Sequence, residues 1–142
     1  MIFDSAVLLT PVNKPSVCMV VKIDTREKFH AITIMEKQLA ANMTEELSQR
    51  LLPILQNGVK NVVLNLKDIE NLEIAAAEGL LGIQHRFYDN NASFVICCLS
   101  KQVEKTLDEE GLLEMVNAAP TESEAADIVL MEEIERELLD GE

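Results

Sequence analysis

Residues 61–66 read Asn-Val-Val-Leu-Asn-Leu, a short apolar run with two β-branched valines, bounded by Gly58 on one side and by the polar KDIEN (67–71) on the other. A segment too short for a core helix and apolar without alternation predicts a strand covered on both faces, the central strand of an α/β sheet.

Upstream, VCMVVKIDT (17–25) and KFHAITIM (28–35) are β-rich and separated only by Arg26 and Glu27, which predicts a hairpin. Asn42 stands three residues before Glu45, resembling a capping box, and Leu47, Leu51, Ile54 and Leu55 follow at helical spacing until Asn57-Gly58. Pro53 is awkward in that helix, because it lacks a backbone donor and should kink the last turn.

Downstream, IAAAEGLLGIQHRFY (74–88) places Ala77, Leu80, Leu81, Ile83 and Phe87 on one helical stripe, with Gly79 and Gly82 permitting close packing. Asp89-Asn90-Asn91 ends it. SFVICCL (93–99) predicts a second buried strand, Lys101 to Asp108 a further helix, and LLEMV after Gly111 a short edge strand. A final helix from Thr121 carries Ala125, Ile128, Val129, Met131, Ile134 and Leu138 on its apolar side. Strands alternating with helices after a hairpin predict a mixed sheet of four to five strands with right-handed crossovers and about four helices packed on it. The whole chain reads as one domain, its core over 17–130 and an acidic helical tail over 121–142. Pro11 and Pro15 suggest an extended entry over Met1 to Ser16.

The 142 residues carry a formal charge of −13, which repels nucleic acid and anionic lipid, so neither is expected as a partner. Nine carboxylates against Arg136 alone lie between Thr121 and Glu142, read first as a solvated face and second as a site for a basic partner. No stretch approaches the ~20 apolar residues of a membrane span. Asp4 lies where a secretory leader would be basic, so the expected location is the cytoplasm. Cys18, Cys97 and Cys98 lack metal-ligand spacing, and adjacent strand residues point to opposite faces; buried reduced thiols and no metal are expected.

Catalysis needs a nucleophile, a base and an orienting group within reach. His30 lies in a strand and His85 on a helix beside Arg86, each better read as a surface or interface residue. The carboxylate pairs Glu109-Glu110 and Glu132-Glu133 read as solvated charge. There is no phosphate loop, since GLLG (79–82) falls inside a helix. The chain is therefore read as a non-catalytic binding module without cofactors. Its candidate docking surface is the stretch DIENLEIAAAE (68–78) after the central strand, where open α/β sheets commonly meet their partners. Alanines that merely let the helix sit close to the sheet are an equally weighted reading.

The order and spacing of FHAITI (29–34), QLAANMTEEL (38–47), GVKNVVLNL (58–66), LLGIQHRF (80–87), SFVICCLSKQVEKTL (93–107), EEGLLEMV (109–116) and PTESEAA (120–126) resemble a STAS domain, the module of bacterial anti-sigma factor antagonists and of sulfate transporter tails. The resemblance covers most of Phe29 to Val129. It implies a STAS-like mixed sheet and a regulatory protein-interaction role, with docking at Asn42, Glu73, Ile74, Ala75, Ala76, Ala77 and Glu78. The family strand commonly ends Asp-Leu-Ser, and an Asp-Ser-Ser/Thr-Gly motif then opens the next helix, its first serine phosphorylated by a partner kinase. Here Asn65 stands for the strand Asp, Glu73 for the motif Asp, Ile74 for the acceptor Ser, and Ala75 and Ala76 for the rest, so no phospho-switch is expected. The implied partners are a kinase-like anti-sigma factor or a regulatory phosphatase. The rival readings are a structural homo-oligomer joined through Ile128, Met131, Ile134 and Leu138, and a small-ligand-binding domain near Ala75.

Overall fold

The structure is a computed structural model that describes residues 6–9, 19–56 and 58–140. The expectations for Cys18, Asn57 and most of the N-terminal entry fall outside those residues.

In chain order the elements are β1 (Ala6–Leu9), β2 (Met19–Thr25), β3 (Phe29–Ile34), β4 (Gln38–Leu39), α1 (Ala41–Leu51), β5 (Asn61–Asn65), β6 (Asn71–Leu72), α2 (Ile74–Asp89), β7 (Phe94–Cys97), α3 (Lys101–Glu109), β8 (Ala118–Ala119) and α4 (Glu122–Asp140). A six-stranded sheet in the order β1-β2-β3-β5-β7-β8 forms the middle, and β4 pairs with β6 in a small separate ladder. The first three strands are antiparallel and the step from β3 onward is parallel. The fold class is the one the sequence implies, with β1 and the small β4–β6 ladder added to the expected strands.

Every residue of β5 is buried, as its unbroken apolar run requires. The period of two in the neighbouring strands then divides the core. Ile32, Ile34, Val62, Leu64, Phe94 and Ile96 face α1, α2 and α3, while Ala31, Val63, Val95 and Cys97 face α4 alone. The crossovers β3 to β5, β5 to β7 and β7 to β8 step in one direction along the sheet. All three place their helix on one face, so they share a hand.

Three local expectations are corrected. The residue preceding α1 is Ala40, not Asn42, which lies exposed within the first turn. Pro53 does not kink α1, because the α-helix ends at Leu51 and residues Leu52–Gln56 form a 3-10 turn, where a missing donor is tolerated. LLEMV is not a strand: Gly111 adopts φ +73° after α3, and the amides of Leu112 and Leu113 both return to the Leu107 carbonyl at 2.8 and 3.2 Å, which curls the chain. The edge strand is instead Ala118–Ala119.

Candidate functional site

The helices after β3 and β5 start side by side. Ala40 has no side chain able to cap α1, and the missing acceptor comes from the start of α2, where Glu73 Oε1 accepts the Ala41 amide at 3.2 Å. Glu73 is itself the residue preceding α2, and its own amide donates to the Leu39 carbonyl at 3.1 Å. One carboxylate therefore sits where two helix N-termini meet, a favourable place for negative charge. Deeper in the same contact, a Cβ on Gly79 of α2 would stand 2.6 Å from Thr44 Oγ1 of α1, so the absence of a side chain sets the helix separation. Gly82, by contrast, faces open space and packs on nothing.

Of the expected docking residues, Asn42, Glu73, Ala75 and Glu78 are exposed and Ile74 is half-buried, all around this junction. Ala76 and Ala77 turn inward, 0% and 1% exposed, and serve the close helix-to-sheet packing. Two depressions of about 140 and 430 Å³ are lined largely by charged and polar side chains, and neither includes a residue of the α2 start.

A second constellation joins α4 to the sheet. At one end of β5, Asn65 Nδ2 donates to Glu122 Oε1 at 3.0 Å; at the other, Asn61 Nδ2 donates to Glu133 Oε1 at 3.0 Å. Asn61 Oδ1 accepts from the Ser93 amide and from Arg136, at 2.8 and 3.1 Å. Glu132 Oε1 accepts from Ser93 Oγ at 2.6 Å and from the Tyr88 hydroxyl at 2.7 Å, while Asn117 Nδ2 donates to Tyr88. Burial, reinforced by Glu132, pushes the Tyr88 phenol up to about 12. The hydrogen bond from Asn61, helped by Arg136, holds Glu133 below the usual carboxylate range. Glu132 and Glu133 are thus half-buried fasteners, not the solvated pair expected; Glu109 and Glu110 are exposed as read. The sequence signal for the fasteners was two asparagines at the ends of the central strand, on the same strand face.

The histidines and thiols are separate from both places. His30 Nε2 donates to the Val59 carbonyl at 2.9 Å and Nδ1 accepts from the Thr25 hydroxyl at 2.9 Å, so both ring nitrogens are engaged; His85 is exposed. Cys97 is buried, and burial pushes its thiol up. Cys98 has φ +63°, which rotates it so that it packs on the α4 side together with Cys97, contrary to the opposite faces expected for an extended pair. Among the described residues no three His, Cys, Asp or Glu side chains are grouped to hold a metal ion, and no helix is long and apolar enough to cross a membrane.

A family model described as the STAS domain matches residues 22–125, well over half of the sequence. The chain belongs to the STAS domain family. Solved structures agree with it in fold. An anti-sigma factor antagonist from Mycobacterium paratuberculosis superposes with a TM-score of 0.66 at 13% identity, over 83% of this chain and 98% of that one. RsbS of Moorella thermoacetica gives 0.64 at 20% identity, over 77% and 93%. SpoIIAA of Bacillus in its phosphorylated form gives 0.56 at 18% identity, over 77% and 98%. In this STAS domain, α1 and α2 flank the junction built on Glu73.

Proposed function

We propose that this STAS domain is a non-catalytic regulatory module that docks a protein partner on the shared start of α1 and α2, and that phosphorylation does not switch it there. The observation that carries the reading is the Glu73 bridge. A carboxylate already occupies the meeting point of two helix N-termini, next to Ile74, which has no hydroxyl to modify. A phosphate would add about −1.5 to −2 charge at such a place and change which surface could dock. Here the carboxylate is part of the chain itself and the neighbouring surface, with Asn42, Ala75 and Glu78 exposed, keeps one form.

SpoIIAA, similar in fold, has been solved in both unphosphorylated and phosphorylated forms. The partner proposed for the present chain is a kinase-like anti-sigma factor or a regulatory phosphatase, met in one state only. Ser93, whose hydroxyl meets a carboxylate, is wholly buried and gives a substrate no approach.

The test is affinity capture from the native cytoplasm with the wild-type chain and an Ala75→Arg variant. The exposed position 75 accepts arginine without disturbing the core, whereas buried Ala76 would not. Capture of a kinase-like or phosphatase protein by wild type, lost with Ala75→Arg, with no phosphate on the bait after incubation with ATP, supports the reading. Equal capture by both baits, or stoichiometric phosphorylation of the wild type, overturns it.

A further inference from the structure

In most surface helices the apolar side faces the protein and the charged side faces water. The second half of α4 is turned the other way. Glu132, Glu133 and Arg136 point at the sheet and are bound there by Asn61, Tyr88 and Ser93. Met131, Ile134 and Leu138 consequently face outward, 61%, 56% and 69% exposed, with Leu130 (38%) and Leu139 (76%) flanking them. At 100° per residue Met131, Ile134 and Leu138 lie opposite the fastened set, and at 1.5 Å per residue the stripe runs about 12 Å along the helix from Leu130 to Leu138. Ile128, assigned to this stripe from sequence, is half-buried against the core beneath α4 and does not belong to it.

The charges around the stripe have one sign. Asp127, Glu135 and Glu137 are exposed beside it, and Arg136, the single basic residue of α4, is drawn inward into the network with Glu133 and Asn61. A second copy laid against the stripe would bring acidic rims together, on chains that each carry −13. An anionic lipid surface is repelled by the same field. A helix with an apolar stripe and lysines or arginines along its edges complements both features at once.

We infer that the outer face of α4 is a second docking surface, built to receive a cationic amphipathic helix of a protein partner. The fasteners beneath it set the rotation of α4 and so present the stripe in a fixed orientation. Tyr88, Ser93, Asn61 and Asn117 offer polar partners on the sheet side of this half of α4, which is why its acids and not its apolar residues face inward. This surface lies across the sheet from α1 and α2 and stands independently of the docking proposed there.

The probe is a leucine–lysine helix of about eighteen residues, five turns, with leucines at i, i+3, i+4 and i+7. Its control is an isomer of the same composition with the leucines spread around the helix. Binding is measured by titration calorimetry with wild type and with the triple variant Met131→Ser, Ile134→Ser, Leu138→Ser, which keeps every charge. The wild type is expected to prefer the amphipathic peptide at least about tenfold, and the triple variant to bind both isomers alike. Ala75→Arg is expected to bind as wild type does. Because the three residues are exposed, the variant should fold, and an unchanged Tyr88 titration checks this. Equal wild-type affinity for both isomers, or a preference that survives the triple substitution, overturns the inference. So does sedimentation of the wild type as a dimer that the triple variant dissolves, since the occupant is then a second copy.

Discussion

Gly79 and Gly82 are predicted to respond in opposite directions to the same substitution. In an exposed helix interior, Gly→Ala stabilises by about 0.8–1 kcal/mol through backbone entropy. Gly82→Ala meets open space and should show that gain. At Gly79 the new Cβ meets Thr44 Oγ1 at 2.6 Å and Thr44 Cβ at 3.0 Å. Thr44 is buried and its hydroxyl donates to the Ala41 carbonyl at 2.7 Å, so rotating away breaks a hydrogen bond of about 1 kcal/mol. Pushing α1 off α2 instead costs about 1–3 kcal/mol, as overpacking does. Set against the propensity gain, the overpacking leaves Gly79→Ala without the gain seen at Gly82 and destabilised by up to about 2 kcal/mol. Adding Thr44→Ala removes the closest atom and should return about 1 kcal/mol of that loss as a coupling energy between the two positions. Urea unfolding followed by far-ultraviolet circular dichroism measures the wild type, the two glycine variants, Thr44→Ala and the Gly79→Ala, Thr44→Ala double variant. Equal stabilisation by Gly79→Ala and Gly82→Ala, or zero coupling to Thr44, would refute the close α1–α2 contact on which the junction at Glu73 depends.

Tyr88 is the single tyrosine of a chain without tryptophan, so its near-ultraviolet absorbance titrates alone. The midpoint should fall near 12, and stability that is full below the unfolded value of about 10 should decline as pH rises from there, because the unfolded chain loses that proton first. Glu133 carries the opposite linkage: its folded pKa is depressed, so its contribution is present above the ordinary value of 4.5 and lost as pH falls through the folded one. Glu133→Gln should therefore flatten the acid side of the stability profile, and an unchanged acid limb would contradict the hydrogen bond from Asn61. Cys97, buried and with its thiol pKa raised, should resist a thiol-specific alkylating agent in the native state and react once urea unfolds the chain, as peptide mass mapping would reveal. Tyr88→Phe should cost about 1–2 kcal/mol in the same urea assay, since it leaves Glu132 and Asn117 short of a partner.

The strands and helices that carry a strong apolar period were readable, because burial on one or both faces leaves few alternatives for NVVLNL or for IAAAEGLLGIQHRFY. LLEMV failed for a local reason. Its apolar content satisfies either a strand or a packed turn, and the positive φ of Gly111 decided for the turn. Asn42 failed as a cap because its role is filled from thirty-two residues beyond Ala41, by Glu73, which no short-range motif encodes. The position of the α2 start was legible, but which alanines reach the surface was not: Ala75 and Ala76 are chemically identical, and only the helix phase separates an exposed one from a buried one. Glu132 and Glu133 were hidden among nine carboxylates of one tail. Their partners Asn61, Tyr88, Ser93 and Asn117 lie on other elements, so only the assembled sheet reveals that two of the acids point inward.

The most direct test of the account is a photo-reactive residue placed at position 75 in the native host, with an identical one at Glu109 at the exposed end of α3 as reference. Position 75, and not 109, is expected to crosslink a kinase-like or phosphatase partner, and the crosslinked chain to carry no phosphate. Crosslinks from 109 alone, or phosphate on the crosslinked chain, would contradict it.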